Sequence, residues 1–316
     1  MFDLISNNRL DSYGPVLKTK NRAESLRAYY WNKALAASLY PAIQCLEVTL
    51  RNAIDRAIKN NPPQQNMYAV NDWWFKNLAI YIGNKKFPAA DRFHSNGSIK
   101  KFTWEEQQIT KVTKGFINKN VSYNSSKIIA GLDFGFWTNL LSTSYVDTGS
   151  STLLWPNLLA DVFPNAPATI QLADIRSKMD RVREFRNRIS HHEPVWKFYY
   201  LHPGTLKPDY AKPVFGRAAS IGLLTKQFEE ILELIEWIDH DRAIYLKSSK
   251  VCDPFLRICN EGGFQAYLSP KNMQTIEMKK TTKIRTFVRK IRKNEIFSVT
   301  RNKTIVAIVG ADIPLV

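Results

Sequence analysis

The sequence predicts a mainly helical fold with a small basic appendage, made of one helix and a β-hairpin, at its C-terminal end. Over most of the chain, apolar residues recur every three or four positions, which is the period of one helix face. Two short runs rich in valine and isoleucine, 296–299 and 304–309, flank a polar turn at 301–303 and are typical of paired strands. A length of 316 residues allows one large helical domain, predicted over 1–245, and an appendage over 246–316.

The first half of the chain is predicted as a series of helices separated by turns. One helix is expected over 21–40, and a second is expected to begin at Pro41, because proline is favoured in the first turn of a helix. The stretch 83–100 contains glycine, proline and many polar residues and is predicted as a loop. Further helices are expected over 103–119 and 124–143.

A long amphipathic helix is predicted in the second half. It is expected to begin near Asn165, with Pro167 in its first turn, and to end before Pro194, because a proline disfavours the helical conformation in the residue that precedes it. Residues 202–213 contain three prolines and interrupt the helical pattern. Another long helix is expected over 223–238.

Reactive side chains concentrate at the end of this amphipathic helix. Arg186 falls between Val182 and Ile189 on the apolar stripe, so its guanidinium is expected to point inward. Arg188 lies on the opposite face of the helix and is expected to face solvent. An unpaired buried charge is costly, and Arg186 therefore needs an anionic partner or a wet cleft. His191 and His192 follow in or just past the last turn. Histidine is the side chain most often used for general acid–base chemistry.

Structural explanations of the same residues remain open. Arg186 could pair with a carboxylate such as Glu47, and two histidines at a helix C-terminus could simply complement the helix dipole. Glu47 and Arg51 are four residues apart, and most such pairs are surface ion pairs of small value. The sequence does not say which histidine faces Arg186.

The segment around Arg186 resembles the Abi-like abortive-infection proteins of the HEPN superfamily. The signature of that superfamily is an arginine, usually a polar residue next, and a histidine four to six residues after the arginine, which Arg186, Asn187 and His191 match. The resemblance covers about residues 20–240 and departs from the family at Ser190 and at 197–198. Further agreeing blocks are Tyr30–Asn32, Tyr40–Pro41, Leu46–Asn52, Leu132–Trp137, Leu154–Trp155 and Phe163–Pro164.

The resemblance implies a HEPN-like helical bundle that acts as a homodimer and cuts RNA without a metal or other cofactor. Arg186 would bind the phosphate, His191 would transfer protons, Asn187 would orient the phosphate or the histidine, and His192 would support or replace His191. The 2′-OH of the RNA would be the nucleophile, so the expected product is a 2′,3′-cyclic phosphate. The supporting residues, which the family also shares, are Glu47 and Arg51.

The composition favours a polyanionic partner such as RNA. The chain has 45 Lys and Arg against 28 Asp and Glu, a formal net charge of +17, which attracts phosphate backbones. Residues 271–303 contribute nine of those net charges. A solvated basic face without a ligand is the alternative. The predicted RNA-binding residues are Lys279, Lys280, Lys283, Arg285, Arg289, Lys290, Arg292 and Lys293.

Several classes of protein are disfavoured. Three cysteines without CxxC spacing indicate neither a disulfide framework nor a zinc site. The N-terminus lacks the pattern of a signal peptide, and no apolar run is long enough to cross a bilayer. The sequence also lacks phosphate-binding glycine loops and the GxSxG and HExxH motifs. A cytoplasmic protein that contacts no membrane is therefore expected.

Three hypotheses remain. The favoured one is a metal-independent endoribonuclease of the toxin or abortive-infection type. The second is a non-catalytic RNA-binding protein that holds a regulatory or antitoxin RNA. The third is a structural dimer in which the motif only maintains packing, so that loss of Arg186 would unfold the protein.

Overall fold

A computed structural model describes residues 5–69, 72–147, 149–204, 208–269, 273–278, 284–293 and 295–311. These residues are mainly helical and include a two-stranded and a three-stranded sheet, so the predicted fold class is confirmed. The helices are α1 (Asn7–Asp11), α2 (Tyr13–Leu17), α3 (Arg22–Asn60), α4 (Trp74–Lys86), α5 (Ala89–Arg92), α6 (Trp104–Asn118), α7 (Ser125–Gly131), α8 (Phe134–Asn139), α9 (Leu159–Val162), α10 (Leu172–Ser190), α11 (Arg217–Ile238), α12 (His240–Ser248), α13 (Asp253–Ile258), α14 (Glu261–Leu268) and α15 (Ile284–Arg292). The strands are β1 (Tyr199–Leu201), β2 (Pro208–Pro213), β3 (Thr275–Glu277), β4 (Phe297–Arg301) and β5 (Thr304–Val309).

The sequence predicted that a second helix begins at Pro41, but Pro41 lies inside the continuous helix α3. Proline removes one helical hydrogen bond and crowds the carbonyl of the residue four positions earlier, here Ala37. Leu35, Leu39 and Ile43 are fully buried on both sides of Pro41, so packing holds the helix together through the break. Ala37 is exposed, and water can satisfy its carbonyl.

Other predicted boundaries also differ. The predicted loop 83–100 contains the end of α4 and all of α5, and the predicted helix 124–143 is divided into α7 and α8. The long amphipathic helix begins at Leu172 rather than near Asn165. Its start is stabilised by Asp174, whose carboxylate accepts the Gln171 backbone N–H at 2.9 Å.

The predictions over 202–238 are confirmed, because no helix lies within the described residues of 202–213 and a long helix follows. The proline-rich segment 202–213 includes β2, which pairs antiparallel with β1. The helix predicted over 223–238 is confirmed as part of α11.

The chain divides into two compact units, each built from separate stretches of sequence. The first unit contains the described residues of 1–44, 184–232 and 244–316, and the second contains those of 45–183 and 233–243. The two domains predicted on either side of residue 245 stay a prediction, because the division into these units does not test whether each domain folds independently. The unit assignment matters for the site because Arg186 to Glu193 all belong to the first unit.

Aromatic side chains form the core of the first unit. Trp31 packs edge-on against Phe264 with ring centroids 4.8 Å apart, and its indole N–H donates to the Ile258 carbonyl at 2.9 Å. Tyr13 packs against Trp196, also at 4.8 Å. Trp196 lies five residues beyond His191, so this core anchors the chain just after the histidine pair.

The last part of the first unit is a small β-module formed by β3, α15, β4 and β5. β3 is parallel to β4, and β4 is antiparallel to β5, with Asn302 and Lys303 at positive φ in the connecting turn. The predicted basic helix and hairpin are confirmed, whereas β3 was not predicted. The module core consists of Ile276, Phe297 and Val299, with Phe287, Ala307 and Val309 packed against it.

The second unit contains a buried ion pair. Arg92 is completely buried, and its guanidinium binds the Glu106 carboxylate through contacts of 2.7 and 3.1 Å. The Arg92 side chain also donates to Asn84 at 2.6 Å and to the Lys101 carbonyl at 2.9 Å. Glu106 in turn completes the capping box of α6 with Thr103.

No helix in the described ranges is both long and apolar enough to cross a membrane. The three cysteines, Cys45, Cys252 and Cys259, all lie in described parts of the chain, and none of them forms a disulfide bond.

Candidate active site

Helix α10 carries the predicted catalytic segment on its last turn. Its buried residues are Ile175, Met179, Val182, Phe185 and Ile189. Phe185, rather than Arg186, therefore occupies the apolar stripe between Val182 and Ile189. Arg186 lies beside Phe185 and is half-buried. The prediction that Arg186 is part of the buried stripe is therefore wrong. A half-buried guanidinium keeps contact with water and can meet a phosphate without the full cost of burial.

The end of α10 places both histidines at the surface. The last helical residue is Ser190, as the position of Pro194 predicted to within two residues. His192 has a left-handed backbone with φ of +58°; its N–H donates to the Ile189 carbonyl at 3.1 Å, and the Glu193 N–H donates to the Arg188 carbonyl at 2.9 Å. This pair of bonds is a Schellman ending, which usually has glycine at the left-handed position. His191 and His192 are both exposed and thus accessible to a large substrate.

Arg188 holds the chain that follows the histidines. The sequence predicted a solvent-facing residue, but the Arg188 side chain is largely buried and donates to the carbonyls of Pro194 and Lys197, the latter at 2.7 Å. Its guanidinium also lies 5.7 Å from the centre of the Phe198 ring and 4.0 Å from the Glu193 carboxylate. Burial lowers the pKa of Arg188, and the nearby Glu193 partly offsets that effect. Arg188 therefore acts as a structural clamp.

Asn32, which the sequence analysis placed in a block shared with the family but gave no role, is a second clamp on the same segment. It is 2 % exposed; its amide N–H₂ donates to the Glu193 carbonyl at 3.4 Å, and its amide oxygen accepts the Val195 N–H at 2.8 Å. A buried asparagine on the apolar face of α3 was the available signal. The two bonds fix the backbone immediately after His192.

A pocket of about 430 Å³ opens beside this clamp. Its walls combine small apolar residues of α3 with the end of α10, and His192 lies at its edge together with Lys33 and Tyr40. Lys33 also lies 5.2 Å above the Tyr29 ring. Arg186, Asn187 and His191 do not line the pocket. The lining residues are Asn32, Lys33, Ala36, Ala37, Tyr40, Ile189, Ser190, His192 and Glu193.

The sequence profile of the Abi-like protein family matches residues 6–197, which is more than half of the 316-residue chain. The chain belongs to the Abi-like protein family. The matched range ends just after the clamped segment, so it contains Arg186, both histidines and Asn32. No curated protein and no solved structure matches the chain.

The remaining predicted site residues of this Abi-like protein have diverse surroundings. Asn187 is exposed, and its carbonyl accepts the His191 N–H at 2.9 Å. Glu47 and Arg51 belong to the second unit, where the Arg51 guanidinium donates to the Ala130 carbonyl at 3.3 Å. The expected pairing of Glu47 with Arg186 stays a prediction.

The basic residues of the β-module lie outside the family match. Four of the eight predicted RNA-binding residues are exposed along α15 and line a surface groove of about 500 Å³ with Val288. Lys290 differs, because its ammonium binds the Gln274 side chain and the Glu295 carboxylate, the latter at 2.7 Å, inside the module. Lys279, Lys280 and Lys283 lie outside the described residues. The four exposed cations are Arg285, Arg289, Arg292 and Lys293.

Within the described ranges, no three or more His, Cys, Asp or Glu side chains form a group that could hold a metal ion. The end of α10 itself carries two imidazoles, a guanidinium and an amide. Imidazoles commonly act in proton transfer, and guanidinium groups commonly bind anions.

Proposed function

We propose that this Abi-like protein is a cytoplasmic HEPN-type endoribonuclease that cuts RNA without a metal or other cofactor and acts in abortive-infection defence. The observation that carries the proposal is the rigid presentation of two exposed histidines directly after α10. The Schellman hydrogen bonds hold the backbone before them, and the buried Asn32 holds the backbone after them. Catalytic groups need this kind of support from surrounding hydrogen bonds.

The reaction follows from the side chains available. His191 takes the proton of the RNA 2′-OH as the 2′ oxygen attacks the adjacent phosphorus. The bond from phosphorus to the 5′ oxygen breaks, and an imidazole from His192, or from a second copy of the chain, gives that oxygen a proton. Arg186 binds the non-bridging oxygens and stabilises the developing charge. DNA has no 2′-OH and survives.

The test is incubation of the purified protein with a mixed RNA in excess EDTA. The wild type is expected to release fragments that end in 2′,3′-cyclic phosphate, and His191→Ala is expected to lose activity by about 10²-fold or more. His94→Ala is the matched control, because His94 is an exposed histidine far from the motif in sequence and should retain full activity. Equal cleavage by His191→Ala and the wild type would refute the assignment.

Arg186→Ala, compared with Arg181→Ala on the same helix, separates catalysis from packing. Arg186 is half-buried, and its loss is expected to abolish cleavage while the protein stays folded by circular dichroism. Unfolding of Arg186→Ala would instead support the structural hypothesis.

A second candidate function is RNA binding without cleavage, in which the chain holds a regulatory or antitoxin RNA. The four exposed cations of α15 favour it, because phosphate contacts supply most of the sequence-independent affinity for RNA. Salt-sensitive binding by both the wild type and His191→Ala, without cleavage by either, would select this alternative.

A further inference from the structure

Strands β1 and β2 form a two-stranded ribbon that carries exposed aromatic residues. Tyr200 is 60 % exposed and Tyr210 is 75 % exposed, and Leu201 and Phe215 are also more than half exposed. The Tyr199 and Tyr210 rings meet edge to face with centroids 5.0 Å apart, which holds the Tyr210 ring in place while leaving it open to solvent. Aromatic rings that contact one another and stay open to solvent, as Tyr199 and Tyr210 do, can form a binding surface. We call this surface the aromatic ribbon.

Cations are interleaved with these rings. The Lys197 ammonium lies 5.5 Å from the centre of the Tyr199 ring. Asp209, the acidic residue of β2, is buried, and its carboxylate forms an ion pair with the Lys212 ammonium at 3.5 Å. The exposed surface of the ribbon thus combines aromatic rings with positive charge, which matches the bases and phosphates of a nucleic acid strand.

The ribbon is connected to the histidine pair through Arg188. Its guanidinium donates to the carbonyls of Pro194 and Lys197, and Lys197 lies two residues before the start of β1. Arg188 precedes His191 by three residues, so one residue anchors both the end of α10 and the start of the ribbon. The ribbon therefore begins seven residues after His192 and is joined to it by the segment that Arg188 and Asn32 hold.

We propose that the aromatic ribbon is a stacking platform for unpaired nucleotides of single-stranded RNA, with Tyr210 as the principal stacking residue. This inference rests on the proposed function in taking RNA as the ligand. Bases in a duplex already stack on one another, whereas the bases of a single strand are free to stack on aromatic side chains. The ribbon should therefore favour unpaired segments, and it would direct cleavage to them.

The test measures binding separately from cleavage. His191→Ala and the double variant His191→Ala, Tyr210→Ala are titrated against a labelled single-stranded RNA of about 12 nucleotides, within the roughly 4–16 nucleotides that one single-strand-binding surface covers. Loss of Tyr210 is expected to weaken binding about 5- to 150-fold, the range for one base–aromatic stack. The salt dependence should not change, because no charge is removed. Binding to a duplex of the same length should also be unchanged.

Two further variants make the result specific. Tyr210→Phe keeps the ring and should bind like the parent. Tyr245→Ala removes a tyrosine of α12 that is 74 % exposed and should have no effect. A 2-aminopurine base in the single strand should be quenched on binding by the parent protein but not by the Tyr210→Ala variant.

The remaining outcomes separate this inference from the proposed function. Unchanged single-strand affinity after Tyr210→Ala would overturn the platform even if the wild type cleaves RNA. If the Tyr210→Ala variant binds RNA normally but has a lower molar mass than its parent in light scattering, the platform is overturned as well. The ribbon is then assigned to contact between two copies of the chain. Absence of cleavage by the wild type, with Tyr210-dependent binding intact, would refute the ribonuclease and support the platform.

Discussion

At the scale of single residues, His192 combines an exposed imidazole with an unfavourable backbone conformation. A left-handed backbone costs a residue other than glycine about 1–2 kcal/mol, although histidine tolerates it better than most. The φ of +58° at His192 reverses the chain, so that Val195 reaches Asn32. Keeping a histidine at a position that suits glycine fits a functional role for its side chain.

Comparing His192→Gly with His192→Ala isolates the cost of this backbone. Both variants lack the imidazole, but only glycine accepts positive φ without strain. His192→Gly is expected to be the more stable by about 0.5–1 kcal/mol, after its greater freedom in the unfolded state is deducted. The difference is measured by urea denaturation. Equal stability, or a more stable alanine variant, would show that the left-handed conformation is not strained.

At the scale of elements, the Arg92 side chain links α4 to α6, because it donates to Asn84 of α4 and pairs with Glu106 of α6. Its guanidinium packs directly against Gly83 of α4. Gly83 of α4 has no side chain, and a Cβ built there would lie 2.4 Å from the Arg92 guanidinium. The guanidinium is enclosed and fully hydrogen-bonded, so it has little freedom to move aside. Gly83 is thus required by close approach and not by backbone conformation.

Gly83→Ala is expected to destabilise the protein, although alanine is the better helix former. Overpacking against a buried ion pair should cost about 1–3 kcal/mol. Gly115→Ala is the matched control, because Gly115 lies in α6 with nothing within 4 Å of its virtual Cβ. It should stabilise the protein by about 0.5–1 kcal/mol. Thermal and urea unfolding measure both variants; a Gly83→Ala protein as stable as Gly115→Ala would show that Arg92 is mobile.

At the scale of the whole molecule, the formal net charge of +17 is distributed unevenly. The exposed cations of α15 belong to the β-module, which has its own apolar core. Phe287 of α15 packs against Phe297 of that core with ring centroids 5.4 Å apart. The outer face of α15 is therefore fixed in place, and its charges form a defined surface for a phosphate backbone.

Replacing Arg285, Arg289, Arg292 and Lys293 by glutamine should weaken binding to every RNA sequence and reduce its salt dependence. Each phosphate contact contributes about 0.7 to the slope of log K against log salt for a single strand, so the slope should fall by up to about 3. The control replaces Lys100, Lys111, Lys114 and Lys119, which are exposed in the second unit, and removes the same charge. Equal effects of the two sets would mean that net charge, and not α15, governs binding.

The sequence predicted that Arg186 points inward and that Arg188 faces solvent. In the structure Arg188 is the arginine that binds protein groups, whereas Arg186 is half-buried beside the apolar stripe. Steps of four and three through Arg186 fit the helix period as well as steps of three and four through Phe185, so periodicity could not choose between them. Burial chose Phe185, because burying a phenylalanine is favourable and burying an unpaired guanidinium is not. Arg188 found carbonyl partners only because the chain turns back after His192.

The sequence by itself determined the features that depend on neighbouring residues. These are the helical period, the end of α10 before Pro194, and the hairpin of β4 and β5. Tertiary structure alone decided the continuity of α3 through Pro41, the enclosure of Arg92, and the grip of Asn32 on Val195, 163 residues away. Local patterns follow from backbone geometry, whereas these contacts depend on burial and hydrogen-bond partners that distant segments supply only after folding.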